Sequence, residues 1–93
     1  MIVKSGRIEK RTQMAMPVEL WSTQDQSLIE KTATENVSAH GARIVTHCAL
    51  QPQGNVLFAS MGNFNRTRAR VVYCQPLDSR VFKVGLYFMD PWI

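Results

Sequence analysis

Turn-forming segments divide the sequence at nearly regular intervals, and this spacing constrains the fold more than any other feature. Clusters rich in Gly, Pro, Asn, Asp, Ser and Gln recur at 22–27, 38–41, 51–55, 61–65 and 75–79. Between them lie short runs rich in β-branched and aromatic residues, a pattern typical of an all-β sandwich or barrel. We predict six strands, at 16–22, 28–37, 42–49, 55–60, 66–75 and 80–89.

Alternation within the last two runs predicts which side chains face the interior, because successive side chains of a strand point to opposite faces. One face of the last run is apolar, with Phe82, Val84, Leu86 and Phe88. The corresponding face of the fifth run has Thr67, Ala69, Val71 and Tyr73, and the other face has Arg68 and Arg70. No segment shows an apolar helical stripe over three turns. The sequence therefore predicts a small six-stranded antiparallel β-barrel, which leaves no exposed sheet edge.

Basic residues are concentrated in two segments, although the net charge of the 93-residue chain is only +4. One group lies in residues 1–11, with Lys4, Arg7, Lys10 and Arg11, and the other comprises Arg66, Arg68 and Arg70. Such clusters suit an anionic partner, for example a phosphate ligand, nucleic acid or an acidic protein surface. A solubilising surface explains the charge equally well. A chain of this length forms one domain with one core.

The reactive side chains form no pattern that indicates catalysis or metal binding. Cys48 and Cys74 lack a metal-type spacing, and His40 and His47 are poorly placed to complete a zinc site. Both cysteines fall in apolar runs, so we predict buried free thiols in a reducing compartment. Ser38 has no adjacent base, and neither histidine is near a plausible nucleophile or carboxylate pair. We therefore predict a protein that is not an enzyme and that binds no metal.

Membrane and export signals are missing from the sequence. No apolar run approaches the ~20 residues that a membrane-spanning helix needs. The start of the chain, "MIVKSGRIEK", lacks the apolar core of a signal peptide. We expect a cytoplasmic protein of bacterial type without membrane contact.

Two short motifs contain residues suited to ligand binding. "RIEKR" places Arg7 and Arg11 four positions apart, and "NVSAHG" occupies the predicted turn between the second and third runs. Asn36 and Ser38 can hydrogen-bond the local backbone or a ligand. Gly41 can adopt a positive φ and lets a ligand approach the backbone closely. Each motif alone is weak evidence, because solvated charge runs and ordinary hairpin turns have the same composition.

Taken together and in this order, the two motifs resemble the R-x-x-x-R arm and the [D/N]-x-S-x-x-G turn of the PilZ family. The segment "TQMAMPVEL" after the second arginine resembles the entry into the family's first strand. "ARIVT" resembles its third strand, and "ARVVYCQ…FKVGLYF" resembles its last two. The resemblance covers nearly the whole chain. It implies a six-stranded barrel that binds cyclic di-GMP, a bacterial second messenger, without a further cofactor.

The resemblance also implies a division of the chain into two parts. Residues 1–12 correspond to a flexible arm, in which Arg7 and Arg11 wrap around the nucleotide, and residues 13–93 correspond to the barrel. Ligand binding then orders the arm, and the conformational change passes the signal to a downstream protein effector or a fused domain.

In the barrel turn, the resemblance assigns ligand contacts to Asn36, Ser38 and Gly41. Asn36 stands where the family more often has Asp, so the turn loses an anionic partner for a guanine N–H edge or an arginine. His40, inside the turn, and Arg70, on the fifth run, are secondary candidates for the same site.

Two alternative functions fit the sequence less well. A PilZ-like adaptor that binds only proteins is disfavoured by the intact motifs. A small basic barrel that binds single-stranded nucleic acid is favoured by the basic clusters and by Trp21 and Phe64 as candidates for base stacking. We regard nucleic acid as the weaker expectation.

Overall fold

The computed structural model describes residues 15–62 and 65–90, which form a closed six-stranded antiparallel barrel. The order of strands around the barrel is β1-β2-β3-β6-β5-β4. The strands are β1 (Pro17–Ser22), β2 (Leu28–Val37), β3 (Gly41–Thr46), β4 (Asn55–Ser60), β5 (Thr67–Asp78) and β6 (Val81–Phe88). This confirms the predicted fold class. In this part of the chain no helix is long and apolar enough to cross a membrane.

The core fills the barrel with side chains from all six strands. Buried residues include Val18, Leu20, Thr34, Ile44, Phe58, Val71, Val84 and Phe88. The rings of Phe58 and Phe88 pack with their centroids 4.9 Å apart, which joins β4 to β6 across the interior. The predicted apolar face of the last strand is confirmed, with Val84, Leu86 and Phe88 buried and Phe82 packed at the edge of the core.

The turn predicted at 75–79 is wrong, because β5 continues to Asp78 and reverses at residues 79–80. The reason is that β4 pairs with β5 only as far as Arg70. Val71 still bonds the backbone of Gln53 and Gly54, but beyond it the only strand paired with β5 in the described part of the chain is β6, and the register shifts between Pro76 and Asp78. An edge position and an irregular register are the conditions under which a strand tolerates proline, which has no N–H group to donate.

The inward position predicted for Tyr73 is also wrong. A register shift between Val71 and Tyr73 inserts Val72 as an extra residue in β5, so the alternation changes phase there. Val71 points into the core, whereas Tyr73 lies outside the barrel opposite Gly85 of β6. A Cβ atom added to Gly85 would overlap with the edge of the Tyr73 ring. The ring therefore occupies the space that the glycine leaves open.

The cysteines are free, as predicted, but the burial predicted for Cys48 is wrong. The third strand ends at Thr46, whose hydroxyl donates a hydrogen bond to the carbonyl oxygen of Cys48 at 2.8 Å. The chain turns there, and Cys48 is exposed. Cys74 is half-buried, and its Sγ atom accepts the N–H of Leu50 at 3.5 Å.

Gly85→Ala should lower the free energy of unfolding by about 1–3 kcal/mol, because the new methyl group must displace the Tyr73 ring. The same substitution should cost less in a Tyr73→Ala background, where the ring is gone. Denaturant unfolding of the four proteins in this cycle measures the coupling directly. Equal costs in both backgrounds would show that the ring and the glycine are independent.

Glu30→Gln should increase the rate at which iodoacetamide alkylates Cys48 at neutral pH. Desolvation raises the pKa of this thiol, and the Glu30 carboxylate raises it further through its charge and a hydrogen bond. Removing the carboxylate charge lowers the pKa and increases the thiolate fraction, which is the nucleophile. Peptide mass spectrometry follows Cys48, with Cys74 as internal reference and Glu19→Gln as the matched control. An unchanged Cys48 rate would contradict the role of Glu30.

Candidate functional site

The predicted turn is held by hydrogen bonds between its own residues and the neighbouring strand. Ser38 donates its backbone N–H to the carbonyl oxygen of Gly41 at 2.8 Å, and its Oγ atom accepts the N–H of His40 at 3.3 Å. The carbonyl oxygen of His40 accepts the N–H of Phe88 at 2.8 Å. Ser38 is buried, and its hydroxyl is hydrogen-bonded to the local backbone in the free protein. The turn is therefore fixed against β6 before any ligand arrives.

Gly41 does not have the positive φ that its place in the turn predicts. Within residues 15–62 and 65–90, only Gln26, Gln53 and Gly62 have positive φ angles. Gly41 is instead the first residue of β3, and a Cβ atom there would lie 2.6 Å from the carbonyl oxygen of Leu86. The close approach of β3 to β6 explains the glycine whether or not a ligand binds.

Asn36 is buried, and the strand register places it opposite Arg43. The Nε atom of Arg43 donates to Oε1 of Glu35 at 2.9 Å, in an ion pair whose side chains are 39% and 40% exposed. More than a third of each side chain is in solvent, so this pair adds little stability. Arg43 thus remains available to an anionic ligand in exchange for Glu35.

A groove of about 220 Å³ opens on the outer face of the barrel where β3, β5 and β6 meet. Its lining comprises Gly41, Ala42, Arg43, Val72, Tyr73, Gly85 and Leu86. The register aligns four residues in a row across neighbouring strands, in the order Tyr73, Gly85, Arg43 and Asn36. The groove is therefore lined by an aromatic ring, by the glycine on which that ring packs, and by a guanidinium group beside the turn.

Sequence reasoning missed Arg43, Tyr73 and Gly85 as site residues. Arg43 follows Gly41 by two positions, so both lie on the outer side of β3, and that spacing was a usable signal. No comparable signal existed for Tyr73 or Gly85. Their place depends on the bulge in β5 and on the pairing of β6 with β3, which are properties of the tertiary fold.

The secondary candidates lie at the margin of the groove. Arg70 is opposite Tyr87, and Tyr87 is opposite Gly41, so Arg70 is two strands away from the turn. Its guanidinium carbon lies 5.6 Å from the centroid of the Tyr87 ring. His40 is exposed within the turn. The arm residues Arg7 and Arg11 lie outside the described residues.

Trp21 and Phe64 are the residues that the nucleic-acid alternative assigns to base stacking. Trp21 is half-buried rather than exposed, and the guanidinium carbon of Arg66 lies 3.9 Å from the centroid of its ring. One face of the indole is therefore already covered. Phe64 lies outside the described residues.

In residues 15–62 and 65–90, no group of three or more His, Cys, Asp or Glu side chains is arranged to hold a metal ion. Nδ1 of His47 lies 3.1 Å from Oε2 of Glu30. The same carboxylate accepts the backbone N–H of His47, which ties β2 to the end of β3.

Comparison with known proteins identifies the fold and not the family. No family model matches the sequence, and no curated protein matches it. Among solved structures, the barrel is similar to that of the Bacillus subtilis inhibitor of motility MotI/DgrA, with a TM-score of 0.70 and 18% sequence identity. The similarity covers 96% of this chain but 45% of that protein, so the chain spans less than half of its length. At this identity the likeness shows the fold alone.

Gly41→Ala should lower the free energy of unfolding by about 1–3 kcal/mol, because the Leu86 carbonyl belongs to the β3–β6 ladder and cannot swing aside. His40→Ala, at an exposed position of the same turn, should change it by less than about 0.5 kcal/mol. Denaturant unfolding distinguishes the two variants. A Gly41→Ala protein as stable as the parent would show that β3 and β6 can separate at this point.

Proposed function

We propose that this protein is a non-catalytic receptor module for cyclic di-GMP. In this proposal the nucleotide sits on the outer face of the barrel, against the turn and the adjoining groove. The observation that carries the proposal is the cross-strand row: the motif residue Asn36 is aligned with Arg43, Gly85 and Tyr73, beside Gly41. Two motifs that resemble those of the PilZ family and a barrel of PilZ-like fold support the same function.

The chemistry of the groove suits a dinucleotide with two phosphodiester anions and two guanine bases. A guanidinium group binds phosphate oxygens in bidentate fashion and stays charged at any working pH. We assign this contact to Arg43, which exchanges Glu35 for the ligand. The half-buried Tyr73 ring lines the groove and offers a surface for stacking a base, an interaction that contributes about 1–3 kcal/mol. Gly85 leaves room for this ring against β6.

The arm completes the site in this proposal. Guanine presents O6 and N7 as paired acceptors, which match the fork of an arginine such as Arg7 or Arg11. A hydrogen bond to a charged group contributes about 1.5–3 kcal/mol, so the two arginines together supply ~3–6 kcal/mol. Ordering backbone costs about 1–2 kcal/mol per residue, which offsets much of that gain. Contacts with the preformed turn and groove must therefore supply the remainder of the affinity.

A change in the arm is the means by which binding becomes a signal. The arm closes over the nucleotide, and the new surface is recognised by an effector protein or by a fused domain.

Arg11→Ala should weaken cyclic di-GMP binding at least tenfold, the equivalent of about 1.4 kcal/mol, while the melting temperature of the free protein stays nearly unchanged. The arginine acts on the ligand and not on the barrel core, which explains both effects. Isothermal titration measures the affinity, and Arg80→Ala, an exposed arginine in the β5–β6 turn, is the matched control. Saturating nucleotide at ~100 times its dissociation constant should stabilise the parent fold by roughly 2.7 kcal/mol.

Three other outcomes have distinct meanings. Unaltered affinity in Arg11→Ala would remove the arm from the site. A parent protein that neither binds the nucleotide nor gains thermal stability from it would refute the receptor function and leave the protein-only adaptor. Binding of any oligonucleotide with a steep loss of affinity at higher salt would indicate a nucleic-acid-binding barrel instead.

A further inference from the structure

Exposed apolar side chains and arginines lie side by side on the outer face of β5 and β6. Val72, Tyr87 and Met89 are 49%, 45% and 41% exposed. The register places Arg70 opposite Tyr87, and the N–H of Met89 donates to the carbonyl oxygen of Arg68 at 2.8 Å. These five residues, Arg68, Arg70, Val72, Tyr87 and Met89, form a continuous surface that we call the β5–β6 patch.

The β5–β6 patch contains two positively charged side chains and no acidic side chain. Among residues 15–62 and 65–90, neither Arg68 nor Arg70 forms an ion pair, and both are exposed. The carboxylates that do pair with basic groups, Glu30 and Glu35, belong to β2. The patch therefore presents positive charge next to apolar area that water covers in the isolated protein.

The composition of the patch matches one class of partner. Tyr, Met and Arg are enriched at protein–protein interfaces, whereas Lys, Glu, Asp, Ser and Ala are depleted there. Four of the five patch residues belong to the enriched group and none belongs to the depleted group. A single strand of nucleic acid fits less well, because the one ring in the patch, Tyr87, already packs near the Arg70 guanidinium. A symmetric dimer through the patch would bring the arginines of two copies together.

We propose that the β5–β6 patch is the docking surface for a protein partner that presents acidic side chains around an apolar contact. Charge complementarity to Arg68 and Arg70 steers and orients the partner, and burial of Val72, Tyr87 and Met89 holds it. The patch adjoins the groove, since Val72 lines the groove and Tyr87 lies opposite Gly41. A docked partner thus touches the edge of the site without occupying it.

Selection of random twelve-residue peptides displayed on phage against the whole protein tests the proposal. Enriched peptides should combine Asp or Glu with aromatic or aliphatic residues, and their amide shift perturbations should map to residues 68–72 and 87–89. Arg68→Glu and Met89→Ala should each weaken the selected peptide about tenfold or more, as for residues central to an interface. The matched controls are Arg80→Glu for charge and Leu77→Ala for exposed apolar area, and both should leave binding unchanged.

Several results would overturn the proposal. They are the absence of enriched peptides, selected peptides without acidic residues, perturbations that map elsewhere, and unchanged affinity in Arg68→Glu. Self-association that disappears in Met89→Ala would assign the surface to a second copy of the chain. Binding of a thymidine oligonucleotide that Arg68→Glu abolishes, without peptide binding, would assign it to nucleic acid. Both substituted positions are on the outer face, and melting temperatures close to that of the parent confirm that the variants fold.

Discussion

The contact on which the rest of the structure depends is the pairing of β3 with β6. These strands are distant in sequence, and their ladder runs from Gly41 opposite Tyr87 to Thr46 opposite Phe82. It closes the barrel, and it requires glycine at position 41 because the Leu86 carbonyl lies where a side chain would begin. Gly85, on the outer face of β6, leaves space that the Tyr73 ring occupies. The same ladder places Arg43 opposite Gly85, so the pairing that closes the barrel also brings together residues that line the groove.

The proposed receptor would combine groups that are already ordered with an arm that becomes ordered on binding. Hydrogen bonds within the turn satisfy Ser38 and the backbone in the free protein, so this part of the proposed site would lose little entropy on binding. The ion pair between Arg43 and Glu35 is in contact with solvent, so exchanging Glu35 for an anionic ligand would cost little free energy. A preformed corner of this kind would let the proposed arm contribute affinity even though the ordering of its backbone is expensive.

Much of the barrel was predictable because turn signals and strand composition are local. The bounds predicted for the second and fourth strands, 28–37 and 55–60, are confirmed. Gln26, Gln53 and Gly62, which have positive φ angles, all lie within predicted turns. Errors arose where the answer depended on distant partners. Pro76 marked a turn by composition, yet it lies in a strand because β4 stops pairing before it. The sequence motifs were sufficient to locate the turn. The groove beside it could be located only once the register of β3, β5 and β6 was known.

The extra residue at Val72 has a consequence for both sides of the barrel wall. Beyond Val72, the inward-facing and outward-facing positions of β5 are interchanged. Tyr73 therefore lies on the groove side, while Cys74 packs against the core. Without the bulge, a β5 of unchanged length would alternate regularly and exchange their surroundings, with the phenol inward and the thiol outward. The bulge, and not only the composition of β5, therefore places the aromatic side chain on the outer surface. A homologue that lost the residue at position 72 would keep the phenol outside, because Tyr73 and Cys74 are already opposite Gly85 and Val84.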